Sequence, residues 1–203
     1  MRVEPTTLNG RYVQLEPLSL AHLGALWEAG ADEEIWRWNP TPVRTVDQMR
    51  SYIERALSAQ AAGTALPFVT VERGGSHVIG STRFTEIDTA NRRLEIGSTW
   101  ITPRWQRTPV NTEAKYLMLS HAFEQLGCIR VELKTDVLNT RSRNAILRIG
   151  AKEEGIFRKH WITQSGRIRD SVFFSILDTE WPAVKIRLEE KLARPYAVAA
   201  DRL

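Results

Sequence analysis

Residues 99–119 read TWITPRWQRTPVNTEAKYLML, a run in which a strand ends, a short turn intervenes and a helix begins. Residues 93–101 are β-rich, and Thr108 stands before Pro109, a residue suited to the first helical turn. Val110, Ala114, Leu117, Met118, Ala122 and Leu126 then keep helical spacing as far as Gly127. From Cys128 to Thr135 the chain alternates Ile129, Val131 and Leu133 with Arg130, Glu132 and Lys134, the pattern of a strand with one buried face. A strand–helix–strand passage favours a parallel crossover, and that crossover is where a ligand is expected to bind. The first N–H groups of the helix lack intrahelical partners, and with the helix dipole, Arg104 and Arg107 they suit a phosphate. Read without that chemistry, the same turn is a solvated loop with two surface arginines.

Working outward, residues 11–18 predict a strand ending at Pro17. Ser19 can cap a helix through Leu20, Leu23, Leu26 and Trp27, and Thr45 with Gln48 makes a capping-box pattern ahead of Met49, Tyr52, Ile53 and Leu57. Between these helices lies the Trp- and Pro-rich connection IWRWNPTPVR. Residues 65–71, 77–84 and 93–101 predict an antiparallel meander, broken at Gly74-Gly75 and again at 88–91. After 136–139 a compact helix carries Ala145, Ile146 and Ile149 to Gly150, and residues 155–163 and 168–177 flank a Gln-Ser-Gly turn. Thr179 can cap a last helix through Trp181, Val184, Ile186, Leu188 and Leu192. The order predicts an α+β fold with a mixed, mostly antiparallel sheet of about seven strands in a single domain, 1–195, followed by a tail, 196–203.

Composition narrows the field. The 203 residues are 42% hydrophobic, with 28 Lys and Arg against 24 Asp and Glu, which excludes disorder and a collagen-like chain. A chain of this length builds a core without a metal or disulfide staple. Cys128 is the only cysteine, so no intrachain disulfide or Cys-based zinc cluster forms, and a reducing compartment, the cytoplasm, is expected. No run of about 18 apolar residues occurs, so no membrane span is predicted. The basic residues are scattered among acids, with no zinc, helix-turn-helix or stacking signature, so nucleic acid is not an expected partner.

Two segments narrow it further. Gln106-Arg107-Thr108-Pro109-Val110-Asn111, followed by Thr112-Glu113-Ala114, and Asn139-x-x-Ser142-x-x-Ala145 with Arg148-Ile149-Gly150-Ala151 resemble two motifs of the GNAT superfamily of acyl-CoA-dependent N-acetyltransferases. The branch most resembled is that of the ribosomal-protein alanine N-acetyltransferases, RimJ and RimL, over nearly the whole chain from Leu8 to Leu192. The resemblance implies a GNAT fold, with a sheet splayed between its fourth and fifth strands and flanked by helices. It also implies transfer of an acetyl group from acetyl-CoA to a primary amine by direct attack in a ternary complex, with no metal. The first motif is the family's pyrophosphate loop, Q/R-x-x-G-x-G/A. Here Pro109 and Asn111 occupy its small positions, and Pro109 has no amide, which leaves those of Arg107, Thr108, Val110 and Asn111 as the cradle between Gln106 and Thr112. In the second motif the resemblance gives Asn139 the pantetheine arm and puts Ser142 near the thioester sulfur. By position alone Asn139 is a helix N-cap and Ser142 a first-turn residue, and the two roles coexist. Arg141 and Arg143 either meet the CoA 3′-phosphate or face solvent.

Acetyl transfer needs a neutral amine, whereas an α-amine has a pKa of about 8 and a lysine about 10.4, so a base or a desolvating pocket must remove a proton. Glu95, mid-strand in Arg93-Leu94-Glu95-Ile96-Gly97, is the first candidate, acting through a water; its other reading is a surface acid on an alternating strand. His160 is the second, beside Trp161, which stands where the alanine-acetylating relatives carry a glutamate. The resemblance places the oxyanion donor at the backbone between Thr99 and Thr102, with Trp100, Ile101 and Thr102 beside the cosubstrate. Ser142 suffices as donor to a departing thiolate whose thiol pKa is about 8.5. Trp36, Trp38 and Trp161 either wall the acceptor pocket or pack in the core. The expected acceptor is a small-molecule amine or a protein N-terminus, and the protein a monomer or homodimer. Two alternatives remain at this point: an acyl-CoA-binding domain without turnover, and transfer of another acyl group such as succinyl.

Overall fold

The computed structural model describes residues 1–196; beyond Tyr196, the expected tail lies outside the described residues. One sheet holds eight strands: β1 (Leu8–Asn9), β2 (Val13–Pro17), β3 (Leu66–Glu72), β4 (Val78–Asp88), β5 (Arg93–Ile101), β6 (Arg130–Asp136), β7 (Lys152–Ile162) and β8 (Ile168–Leu177). Their spatial order is β1-β2-β3-β4-β5-β6-β8-β7, and β5–β6 is the parallel pair among antiparallel neighbours. The helices are α1 (Leu23–Ala29), α2 (Val46–Ala61), α3 (Pro109–Ser120), α4 (Thr140–Arg148) and α5 (Trp181–Ala193). The eighth strand is β1, whose two residues pair with Leu15 and Gln14. Two residues are too short a run for alternation to mark, and counting them makes the splayed pair the fifth and sixth strands.

Local chemistry sets the helix starts. Thr108 Oγ1 accepts from the Val110 amide at 3.3 Å, and Pro109 takes the first turn of α3. Thr45 accepts from the Gln48 amide at 3.2 Å, but Gln48 Oε1 takes the Arg44 amide at 2.6 Å, one residue earlier than a closed capping box requires. Thr179 does not cap α5: Glu180 holds that position, and the Thr179 amide turns back to Asp178 Oδ1 at 2.8 Å.

The sheet has two unequal faces. On one, α3, α4 and α5 bury a core of Leu94, Ile96, Val131, Leu133, Phe174, Met118, Ile146 and Val184 among others. On the other, α1 and α2 cover only the β3–β5 half, where Leu26, Met49, Ile53, Val69 and Trp100 meet. Strand alternation then turns Glu95, Lys134, Asp136 and Phe173 toward the half of that face that no helix covers. Glu113 ties α3 to the start of β2: its carboxylate accepts from the amides of Arg11, Tyr12 and Val13 at 2.8, 2.6 and 2.8 Å. Gly10 lacks the β-carbon that would collide with that carboxylate. No helix among the described residues is long and apolar enough to cross a membrane.

Candidate active site

β5 and β6 pair at Arg93–Arg130, Leu94–Val131 and Glu95–Glu132 and nowhere beyond, so residues 96–101 and 133–136 diverge into an open wedge. A bulge in β5 sets the divergence. Ser81 faces Trp100 and Arg83 faces Gly97, so three steps along β5 match two along β4, with Ser98 at φ +47°. From the α3 side the buried Lys115 holds the bulge, its Nζ 2.6 Å from Thr99 Oγ1 and 3.2 Å from Thr82 Oγ1. Those two hydroxyls are 2.8 Å apart. Lys115 was invisible to sequence reasoning, because a lysine on an amphipathic helix ordinarily faces solvent.

Burial without a carboxylate partner drives the Lys115 ammonium down to about 7. The unfolded chain therefore holds this proton between pH 7 and about 10 where the folded chain does not, and stability rises with pH across that window. Below pH 7 both states bind the proton and the cost of charging a buried amine is fully present. Wild-type stability in denaturant titrations is thus expected to gain about 2 kcal/mol between pH 7 and 9 relative to Lys115→Met. Lys115→Met is expected to be the more stable protein at pH 6.5. Parallel curves for the two proteins would show that Lys115 does not carry the change.

At the far end of β5 the chain enters the loop before α3. Gln106 spans it, its Nε2 donating to the Ile101 carbonyl at 2.9 Å and its Oε1 accepting from Arg141 Nη1 at 2.8 Å. Arg107 sits at φ +60°, which lets the loop double back onto the helix start. Helix geometry leaves the Asn111 amide without an intrahelical acceptor, whereas the Val110 amide is partly used by the Thr108 cap. These donors, with Arg104, Arg107 and Arg141 around them, fit a diphosphate. Arg143 belongs elsewhere: its Nη2 is 3.1 Å from Glu153 Oε2, so Arg141 is the α4 arginine that meets the loop. Thr102 is also committed, its amide and hydroxyl both donating to the Ile79 carbonyl. The Trp100 side chain is buried with its Nε1 3.3 Å from Tyr52 Oη, so what Trp100 and Ile101 offer the wedge is backbone. Asn139 caps α4, its Oδ1 accepting from the Ser142 amide at 3.1 Å, and its side-chain N–H groups are left for a second partner.

The open face carries the acid–base groups. Glu95 is 4% exposed, and Lys134 Nζ lies 2.7 Å from its Oε2. Burial pushes the Glu95 carboxyl up, and Lys134 offsets part of that rise. Gly97 leaves room for the other oxygen, since a β-carbon there would stand 2.7 Å from Glu95 Oε1. His160 reaches the same face because β7 carries a second irregularity: Phe157 faces Ser171 and Trp161 faces Arg169, four steps against two, with Lys159 at φ +52°. Its ring lies 5.4 Å from that of Phe173, which Lys134 approaches at 5.8 Å. Burial, then Lys134 and Arg169, hold the His160 imidazole below its ordinary range. Glu95, Lys134, Phe173 and His160 thus share one surface, with Asp136 paired to Arg167 beside them. Trp161 is about half-exposed on the hairpin, and Trp38 is half-buried under Arg167 at 5.7 Å. Trp36 is not part of this surface: it is 3% exposed, its Nε1 donates to the Gly30 carbonyl at 2.8 Å, and its ring lies 5.2 Å from that of Trp100. Lys134 was missed by sequence reasoning for the same reason as Lys115, a charge at an alternating position being indistinguishable from a solvated one.

Comparison with known proteins finds relatives of the whole fold. A family model described as an acetyltransferase (GNAT) domain matches residues 13–152. A GCN5-related N-acetyltransferase from Brucella melitensis shares the fold at a TM-score of 0.88 with 35% identity, over 94% of this chain and 87% of that one. Mycobacterium smegmatis RimJ, solved in complex with CoA-disulfide, has a TM-score of 0.81 at 22% identity, covering 95% and 98% of the two chains, a likeness of fold. The putative ribosomal N-acetyltransferase YdaF of Bacillus subtilis (strain 168) is 35% identical over 99 residues, 49% of this chain and 53% of that protein.

Proposed function

Because the chain belongs to the GNAT acetyltransferase family and transfers an acetyl group from acetyl-CoA to a primary amine, we propose that its acceptor is an α-amine, a protein or peptide N-terminus, deprotonated by Glu95. One observation carries the reading: a buried carboxylate, raised in basicity by its surroundings, stands on the uncovered face at the point where β5 leaves β6. An α-amine is the easier acceptor for such a base. Its pKa lies about 2.4 below that of a lysine, a difference of roughly 3 kcal/mol in the cost of removing the proton. The likeness to YdaF, described as a putative ribosomal N-acetyltransferase, is in keeping with a polypeptide acceptor.

Acetyl-CoA supplies the thioester. The loop from Gln106 to Thr112 takes its diphosphate on the amides of Arg107, Thr108 and Asn111, with Arg141 alongside, and Asn139 donates to the pantetheine arm. Backbone N–H groups at the β5 bulge meet the carbonyl oxygen as it gains charge. Glu95 takes the amine proton through a water, Lys134 keeps its carboxylate ionised against burial, and Ser142 donates to the departing sulfur. Trp38 and Trp161 flank the acceptor's approach. Cys128 takes no covalent part: it is buried and its thiol is pushed up to about 11 by burial; as the sequence's single cysteine it is in keeping with a reducing, cytoplasmic setting.

The discriminating assay follows CoA release with two peptides, one with a free α-amine and no lysine, the other N-terminally blocked with one lysine. At pH 7.5 kcat/KM for the free α-amine is expected to be about 100-fold higher. Equal rates, or a faster lysine peptide, would overturn the α-amine reading.

A further inference from the structure

Arg83 on β4 faces the same side of the sheet as Glu95. Thr85 lies opposite Glu95 and Arg83 opposite Gly97, so Arg83 and Glu95 are diagonal cross-strand neighbours with only a glycine between them. Such diagonal positions are about 7 Å apart. Other arginines of the sheet have carboxylate partners: Arg93 has Asp88 at 3.3 Å and Glu132 at 3.2 Å, Arg130 has Glu132 and Glu154, Arg167 has Asp136, and Arg169 lies 3.9 Å from Asp136. Among the described residues Arg83 has none. Its Nε and Nη2 are shielded from solvent with no hydrogen-bond acceptor, and its central carbon lies 4.6 Å from the centre of the Tyr52 ring. A shielded, unpaired cation is costly to keep, and such groups ordinarily have a partner. Arg83 lines a cavity of about 530 Å³ together with Thr85, Glu86, Asp88, Arg93 and Thr64.

We propose that Arg83 is an anion subsite of the acceptor pocket, so that the preferred acceptor carries a carboxylate a few ångströms from the amine it presents to Glu95. The inference rests on the reading that the amine is delivered to Glu95. The two charges then meet opposite charges side by side: the arriving ammonium finds Glu95 and the exposed Glu86, and the carboxylate finds the Arg83 guanidinium. Asp88 does not compete for Arg83, being held by Arg93 and Asn91. Two sources supply this chemistry, the α-carboxylate of a free amino acid and an acidic side chain at a peptide N-terminus.

The test uses matched pairs of acceptors. One pair is a free amino acid and its amide; the other is a C-terminally amidated tripeptide beginning with Asp and its Asn counterpart. Wild type is expected to favour the acid member of one pair by at least about tenfold in kcat/KM, and the pair that responds identifies the source. Arg83→Gln is expected to reduce that ratio to about one, mainly through a raised KM for the acid, whereas Arg83→Lys, which keeps the charge without the fork, retains part of it. Arg2→Gln, a surface change beside Glu4, is expected to leave the ratio as in wild type. Absence of preference in both pairs, or an Arg83→Gln loss shared equally by acid and amide, would overturn the proposal. Calorimetric binding of the same pairs in the presence of coenzyme A needs no turnover, so it separates the two readings. A preserved acid preference with Glu95→Gln fully active would remove Glu95 as base and leave Arg83 standing, and the converse would remove Arg83 alone.

Discussion

Glu95→Gln is expected to lower kcat/KM by at least about 100-fold at pH 7 and by less than about tenfold at pH 9.5. At pH 7 an α-amine of pKa about 8 is mostly protonated, and without a base the reaction draws on the small neutral fraction and on unassisted proton loss in the transition state. At pH 9.5 the amine has shed its proton in solution and the carboxylate has little left to contribute. Glutamine keeps the volume and still offers an oxygen to Lys134 Nζ, which sits 2.7 Å from Glu95 Oε2, so the wedge keeps its shape. His160 is the weaker competitor for the role. Its imidazole is held below the ordinary range by burial and by the positive Lys134 and Arg169, which disfavour the imidazolium it would become on taking the proton. A pH profile for Glu95→Gln that runs parallel to wild type, with the same loss at pH 7 and pH 9.5, would show that Glu95 positions Lys134 and does not take the proton.

The contrast between what was legible in the sequence and what was not follows from the range of the forces involved. The α3 start is written locally: Thr108, Pro109 and the spacing of Val110, Ala114 and Met118 act within a few residues of one another, and the helix begins at Pro109 as those residues require. Asn139 likewise caps α4 from within its own first turn. The active surface is assembled from pairings across the sheet, and no local pattern encodes those. Lys134 meets Glu95 only because β6 runs parallel to β5, and Arg143 is drawn to Glu153 while Arg141 reaches Gln106 because β7 passes beside one end of α4. Bulges hide the rest. At Ser98 and at Lys159 the chain steps out of period two, so strict alternation misplaces both Thr99, which turns to Lys115, and His160, which joins Trp161 on one face. The unpaired Arg83 is the extreme case, since the absence of a partner is a property of the folded sheet and has no sequence signature at all.

Glu113→Ala is expected to destabilise the protein by about 4 kcal/mol or more, because hydrogen bonds to a charged acceptor contribute roughly 1.5–3 kcal/mol each and three backbone donors lose theirs together. The amides of Arg11, Tyr12 and Val13 converge on this one carboxylate, and the methyl of alanine reaches none of them. For a chain of this length that loss corresponds to a fall in Tm of about 10 °C or more. Glu113→Gln retains one carbonyl oxygen for three donors and is expected to fall between the two. The effect reaches the cosubstrate through geometry: Glu113 sits in the second turn of α3, two residues after Asn111, whose amide is assigned to the diphosphate. Freed from β2, that end of the helix has less reason to hold its orientation over the loop. Coenzyme A affinity measured well below the melting temperature should therefore weaken in Glu113→Ala, although no atom of Glu113 contacts the loop amides. A variant melting within about 3 °C of wild type would mean that water replaces the carboxylate at all three amides. A large loss of stability with unchanged coenzyme A affinity would mean that β2 braces the core alone and the loop holds its own shape.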